Sequence, residues 1–259
     1  MSDLQMTSEG VQAQGPIYQP PSTRIDLPRA LKALRALLRD KENTTQVFEI
    51  MRALNGRSTM TGYRHLLGTP EGGRIAYEHE ELIHHLDDDA AMSVYAAGSV
   101  GAEYLAWRTA EGLSAAGLAE ESRRGLDMTK LETRHPHAWY GRRIRDTHDI
   151  WHILSGYGRD ALGEACLTAF SFAQTRGPGW ALIAVGAALN SRRVGGGFEH
   201  VAAIWQGFQR GRKAAWLPAE DYRAILAEPV EVARRRLGVT PATRYDAIPP
   251  ERRNPMRRG

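Results

Sequence analysis

Cysteine is almost missing from this chain of 259 residues, where Cys166 stands alone. One thiol excludes an internal disulfide framework and suits a reducing compartment, and a lone cysteine usually serves as a small buried side chain. Long hydrophobic runs are missing too. The longest nearly uncharged stretch, 177–190, is shorter than the roughly 20 apolar residues that a membrane-crossing helix needs. No zinc finger, RNP-type aromatic motif or glycine-rich phosphate loop is present, and the net charge is only +4, so nucleic acid is not an expected partner. The first 22 residues contain neither arginine nor lysine, which argues against a secretory signal or a mitochondrial presequence. The expected location is the bacterial cytoplasm. Alternating apolar and polar runs, the mark of strands, are also lacking.

What is there reads as helix. The apolar content of 42% suits one compact domain. Residues 1–22 are rich in Gly, Gln, Ser and Pro and are expected to be a disordered arm. Residues 241–259 carry four prolines and end in an arginine cluster, and are expected to be a disordered basic tail. Between them, 23–240 is expected to form an all-α domain. Leu27, Leu31, Leu34 and Leu38 recur at helical spacing opposite Arg29, Lys32, Arg35 and Arg39, with Pro28 in the first turn. This helix suits either the core or an anionic membrane surface, and the core is favoured. A second helix over 44–54 should stop at Asn55-Gly56. Further helices are expected over 77–86, 89–96, 101–110, 138–154, 160–175, 179–190, 198–213 and 218–236. GTPEGG (68–73), RGPG (176–179) and RVGGG (193–197) are expected loops.

Chemistry concentrates in HDIWHILSGYGRDALGE, residues 148–164. On a helix His148 and His152 lie one turn apart on one face, within reach of a single cation at about 2.0–2.2 Å from each nitrogen. Asp149 points roughly 100° away and can act only from the edge of such a site or by orienting a ligand. Glu164 would lie about 18 Å along a continuous helix. Ser155, Gly156 and Gly158 interrupt that helix, however, and Asp160 is suited to cap a new one. A helical hairpin would then return Glu164 to the histidines. The arrangement departs from the HExxH zincins, because Asp149 replaces the longer Glu base and no third distant histidine has suitable spacing. An HD-type phosphohydrolase, suggested by His148-Asp149 and the earlier His84-His85, is a poor match because the upstream spacing is long and Glu164 is left unexplained.

HDxxH followed by eleven residues and Glu resembles the signature of the ubiquinone (coenzyme Q) biosynthesis family that organises the biosynthetic complex and decarboxylates the polyprenylated benzoate precursor at C1. GTPEGGRI (68–75), AGSVGAEYLAW (97–107), RIRDTHD (143–149) and LGE (162–164) resemble the family's blocks in order, over about residues 45–240. The resemblance implies His148, Asp149, His152 and Glu164 as both metal ligands and catalytic residues. The implied metal is a divalent ion, by family habit zinc, though two His and a carboxylate also suit Fe(II). The implied enzyme is a carbon–carbon lyase acting on a 4-hydroxy-3-methoxy-5-polyprenylbenzoate, with decarboxylation coupled to C1 hydroxylation. Arg145 and Arg143, on the turns before His148, are expected to bind the substrate carboxylate. Expected partners are the prenylated precursor, other enzymes of the pathway, the inner-membrane surface, where the chain would sit peripherally, and a second copy in a homodimer. WALIAVGAALN (180–190) and FSF (170–172) are weighed as walls of a prenyl groove or, more simply, as helix packing. The alternative to catalysis is a lipid-binding scaffold for the biosynthetic complex.

Overall fold

The computed structural model describes residues 23–40, 43–112, 117, 136–193 and 196–254. The expected disordered arm, residues 194–195 and the last five residues of the tail lie outside them. Among the described residues there are fifteen α-helices, one 3₁₀ turn and no strand; a single antiparallel bridge joins Ser99 to Pro229. The all-α expectation holds.

At the centre lies α9 (Ala161–Thr175), buried on nearly every side by α10 (Pro178–Arg193) and α11 (Gly197–Lys213). Its apolar residues do not follow one stripe because the whole helix is core, where each large apolar side chain is stabilised by roughly 1.5–3 kcal/mol. Two glycines one turn apart let α11 approach it closely. A methyl on Gly207 would sit 2.4 Å from the Cys166 carbonyl oxygen, and one on Gly211 would sit 2.6 Å from that of Phe170. Cys166 is itself fully buried.

Across this layer runs α8 (Pro136–Ser155), whose Ile150, Trp151 and Leu154 enter the main core. With them pack α7 (Val100–Ala110), α12 (Tyr222–Ala227) and α13 (Val230–Arg236). The amphipathic α1 (Leu27–Leu37) is held at its start by Asp26, whose side chain accepts from the Arg29 N–H, and it buries Ala30, Ala33, Leu34 and Leu37 against α2 (Thr44–Leu54) and α10. Of the four leucines read as one stripe, Leu34 is buried, Leu31 and Leu38 are partly buried and Leu27 is exposed, so the core face is completed by Ala30, Ala33 and Leu37. A third cluster joins α3 (Gly56–Leu67) and α4 (Pro70–Glu78) to Trp139 and Tyr140 of α8.

Several boundaries differ from the sequence reading. Asn55-Gly56 does end α2, but α3 starts at once. Thr69 accepts from the Gly72 N–H and Pro70 opens α4, so GTPEGG is a helix start and not a loop. The helix expected over 77–86 breaks at His79, in the left-handed region with φ 49, and resumes as α5 (Leu82–Leu86); α6 (Asp89–Met92) is one turn long. The expected 218–236 helix is divided by Asp221, which caps α12, and by Pro229, which bars helical backbone at Glu228. The expected disordered tail folds through residue 254. Short α14 (Thr243–Asp246) and α15 (Pro250–Arg253) place Tyr245 and Ile248 in the main core with Ala242, apolar burial that a count of prolines does not register.

A candidate metal centre

The helix carrying His148 and His152 ends where the sequence breaks it. Gly156 takes φ +75, and its N–H donates to the His152 carbonyl. The last carbonyls of α8 are satisfied by arginines from distant elements. Arg234 of α13 donates to Ile153 and Leu154, and Arg210 of α11 donates to Ser155. The chain then reverses. Asp160 caps α9 by accepting from the Gly163 N–H at 2.9 Å. Gly163 is required by close approach, since a methyl there would lie 2.0 Å from the Gly158 carbonyl oxygen. Glu164, in the first turn of α9, thereby faces His152.

His148, His152 and Glu164 form the cluster, each offering one ligand atom within 4.8 Å of the other two. His152 Nε2 lies 3.5 Å from Glu164 Oε1. The His152 ring is buried, and its Nδ1 lies 2.8 Å from the Tyr157 carbonyl oxygen. That oxygen can only accept, so Nδ1 carries the proton and Nε2 presents a lone pair to the cluster. Burial lowers the His152 pKa, against the opposing pull of Glu164, which favours the neutral, ligating form. His148 Nε2 is buried without a hydrogen-bond partner among the described residues. An orphaned imidazole nitrogen beside a second lone pair and a carboxylate fits a bound divalent cation, which would occupy all three.

Asp149 stands outside the three-ligand cluster. Its carboxylate lies 3.6 Å from His148 Nδ1, the edge position that helix geometry allows it, beside the first histidine but beyond hydrogen-bond distance. Two indoles flank the rings: Trp180 stacks on His148 and Trp107 on His152, each with centroids 5.3 Å apart. Beside His152 a cavity of about 380 Å³ opens, lined among others by Glu103, Trp107, Tyr157 and Arg234. The sequence gives no spacing signal for Trp107, Trp180 or Arg234, since each arrives from another element.

Both arginines expected to bind the substrate carboxylate are engaged by groups of the protein itself. Arg143 is 5% exposed, donates to the Pro218 and Glu220 carbonyls, and lies over the Trp139 and Tyr222 rings, so it ties α8 to the chain beyond α11 and does not face the cavity. Arg145 does pair with a carboxylate, but with the buried Asp146 beside it, at 2.7 Å from Nε. Of the stretches weighed as groove walls, Phe170, Ile183 and Ala184 are core, Trp180 joins the metal cluster, and Val185 and Leu189 face outward.

A model of the family described as "Coenzyme Q (ubiquinone) biosynthesis protein Coq4" matches residues 30–243. The chain is 27% identical over 176 residues to a mitochondrial ubiquinone biosynthesis protein COQ4 homolog of Rattus norvegicus, and 26% identical over 186 residues to that of Mus musculus. Each match covers 68% of this chain and 63% of the relative, so the chain spans less than two thirds of the length of the curated relatives it matches. The crystal structure of a Nostoc punctiforme protein described as a ubiquinone biosynthesis protein superposes with a TM-score of 0.60 at 21% identity, over 83% of this chain and 99% of that one, a likeness of fold.

Proposed function

The chain belongs to the Coq4 family of coenzyme Q (ubiquinone) biosynthesis proteins, and from that premise we propose that it removes the C1 carboxyl group of a 4-hydroxy-3-methoxy-5-polyprenylbenzoate and replaces it with hydroxyl. The C1–carboxyl bond breaks, carbon dioxide leaves, and a C1–oxygen bond forms. The change is a two-electron oxidation for which dioxygen is the oxidant: water supplies the C1 hydroxyl oxygen, and dioxygen takes up the two electrons and leaves as hydrogen peroxide. The observation that carries the reading is the cluster of His148, His152 and Glu164 beside a cavity large enough for a substituted benzene ring.

In this reading a divalent cation held by the three side chains supplies Lewis acidity toward the anionic oxygens of the substrate. Zinc suits the donors; Fe(II) suits them equally by donor type. The protein's own contribution is positional. Tyr157 fixes the His152 tautomer, Trp107 gives the ring an apolar wall, and Glu103, on the cavity side of α7, is placed to hold or release a phenolic proton.

A peripheral place on the bacterial inner membrane, beside other enzymes of the pathway, is part of the same proposal. No described helix is long and apolar enough to cross a membrane. The outward faces of α10 and α11 nevertheless expose Val185, Leu189, Phe198 and Trp205. That surface also supports the second reading, a lipid-binding scaffold in which the metal is structural. The two part in a strain lacking the endogenous protein. If catalysis is right, a folded His152→Gln chain fails to restore ubiquinone and a prenylated benzoate that keeps its carboxyl group accumulates. Full restoration by that variant would leave only the scaffold.

A further inference from the structure

We propose that the C-terminal segment 243–254 is a latch that positions the metal ligands, with Tyr245 as its central residue; the inference rests on the metal-site reading. The hairpin between the two halves of the cluster is only five residues long, 156–160, and it is held from outside by this segment. The buried Tyr245 hydroxyl donates to Asp160 Oδ2 and accepts from the Gly158 N–H at 3.1 Å. Asp160 uses its other oxygen to cap α9, and its carbonyl accepts from the Glu164 N–H at 3.0 Å. One phenol therefore fixes the residue that starts the helix bearing Glu164.

The same ring reaches the other ligand. Tyr245 packs edge-on against Tyr157, with centroids 5.3 Å apart, and Tyr157 is the residue whose carbonyl sets the His152 tautomer. Farther along, Asn254 Oδ1 accepts from the Ala161 N–H at 2.7 Å, closing another free donor at the start of α9. Arg253 covers the outer face of the Tyr245 ring at 4.2 Å and donates to the Ile248 carbonyl, which holds the segment in its own fold. Asp160, Gly158 and Tyr157 thus all meet Tyr245, and between them they orient both His152 and Glu164. Tyr245 is a positioning residue, acting on the metal only through others.

Partners hydrogen-bonded directly to a ligand weaken metal binding by roughly 10–100-fold when removed. Tyr245, one step farther out through Asp160 and Gly158, belongs at the lower end of that range. Ordinary core residues lower stability without selectively affecting affinity. The test uses the full chain and Zn²⁺ in competition with a chromophoric chelator, with urea unfolding measured in parallel. Tyr245→Phe keeps the ring and removes the hydroxyl; Ile248→Ala, in the same segment, removes buried carbon and touches no hydrogen bond to the hairpin. The expected result is at least tenfold weaker zinc binding for Tyr245→Phe. Ile248→Ala should lose at least as much stability but bind within about twofold of wild type. Equal affinity for Tyr245→Phe and wild type overturns the latch, and so does an equal loss in Ile248→Ala. Should Tyr245→Phe not fold, Asn254→Ala at the exposed end of the segment decides: several-fold weakening supports the latch, and unchanged affinity overturns it. A wild-type chain that binds no zinc overturns the metal site itself, an outcome distinct from failure of the latch.

Discussion

His148 shows how little of a ligand's character lies in the ligand. Its Nε2 is buried without a hydrogen-bond partner among the described residues, while Trp180 stacks on the ring and Asp149 lies beside it. A buried polar atom left unmatched costs about 1–3 kcal/mol, so an empty site would be a standing destabilisation that a cation removes. His148→Ala should therefore yield a folded chain with no bound divalent ion, against one per chain in wild type, by elemental analysis of purified protein. A variant that keeps its metal would strike His148 from the ligand set. The ligand spacing was legible because i,i+4 places two imidazoles together in any helix. The role of Arg143 was not, because sequence does not say what lies across from a side chain. Here it is two backbone carbonyls, which Arg143→Ala would leave without a donor. The expected cost is about 3 kcal/mol in urea unfolding with metal stoichiometry unchanged. A loss of metal with little loss of stability would instead return Arg143 to the site.

At the level of elements, the site is a hairpin whose closure depends on Gly163. A methyl 2.0 Å from the Gly158 carbonyl oxygen has no flexible side chain to displace; backbone must move, and with it the start of α9 and Glu164. Gly163→Ala is expected to destabilise the chain by at least about 3 kcal/mol, the upper range of overpacking, and to weaken zinc binding together with stability. Wild-type stability in denaturant would mean that the hairpin is looser than this contact requires. The glycine break and the Asp160 cap, and so the reversal, were readable from the sequence because both are local. Local signals were also present where the reading went astray. Thr69-Pro70-Glu71 is a helix start obscured by two following glycines, and Glu228-Pro229 is a break hidden within an otherwise helical composition. What no local signal carries is the tail: Tyr245 and Ile248 are ordered by burial against elements far back in the chain, and prolines on either side of them only set where the short helices begin.

For the whole molecule, the surface of α10 and α11 is the counterpart of the buried site. Where the two helices meet, the Arg192 guanidinium lies over the Phe198 ring at 4.8 Å. Val185 and Leu189, one turn apart on α10, are exposed, as are Phe198 and Trp205 on α11. Phe208 lies beside Trp205 with centroids 5.2 Å apart. Phe198 is 76% exposed and Trp205 58%. Charge at this surface is of one sign. From Pro178 to Lys213 the only acid is Glu199, already paired with Arg252, and the exposed bases are Arg192, Arg212 and Lys213. A basic rim around exposed aromatic side chains complements an anionic bilayer, where each nearby base adds about 1 kcal/mol and a buried aromatic about 1.5–3 kcal/mol. A second copy would instead add positive charge to positive charge. Wild-type protein should thus cosediment with phosphatidylglycerol-containing vesicles, less with purely zwitterionic ones, and less as salt rises. Val185→Glu combined with Trp205→Glu should reduce that binding at least tenfold while metal content and unfolding midpoint hold, since both side chains already face water. Unchanged vesicle binding would move the membrane contact elsewhere on the molecule. A wild-type dimer in sedimentation that the double variant converts to monomer would give the face to a second copy, and the lipid-facing assignment would fall.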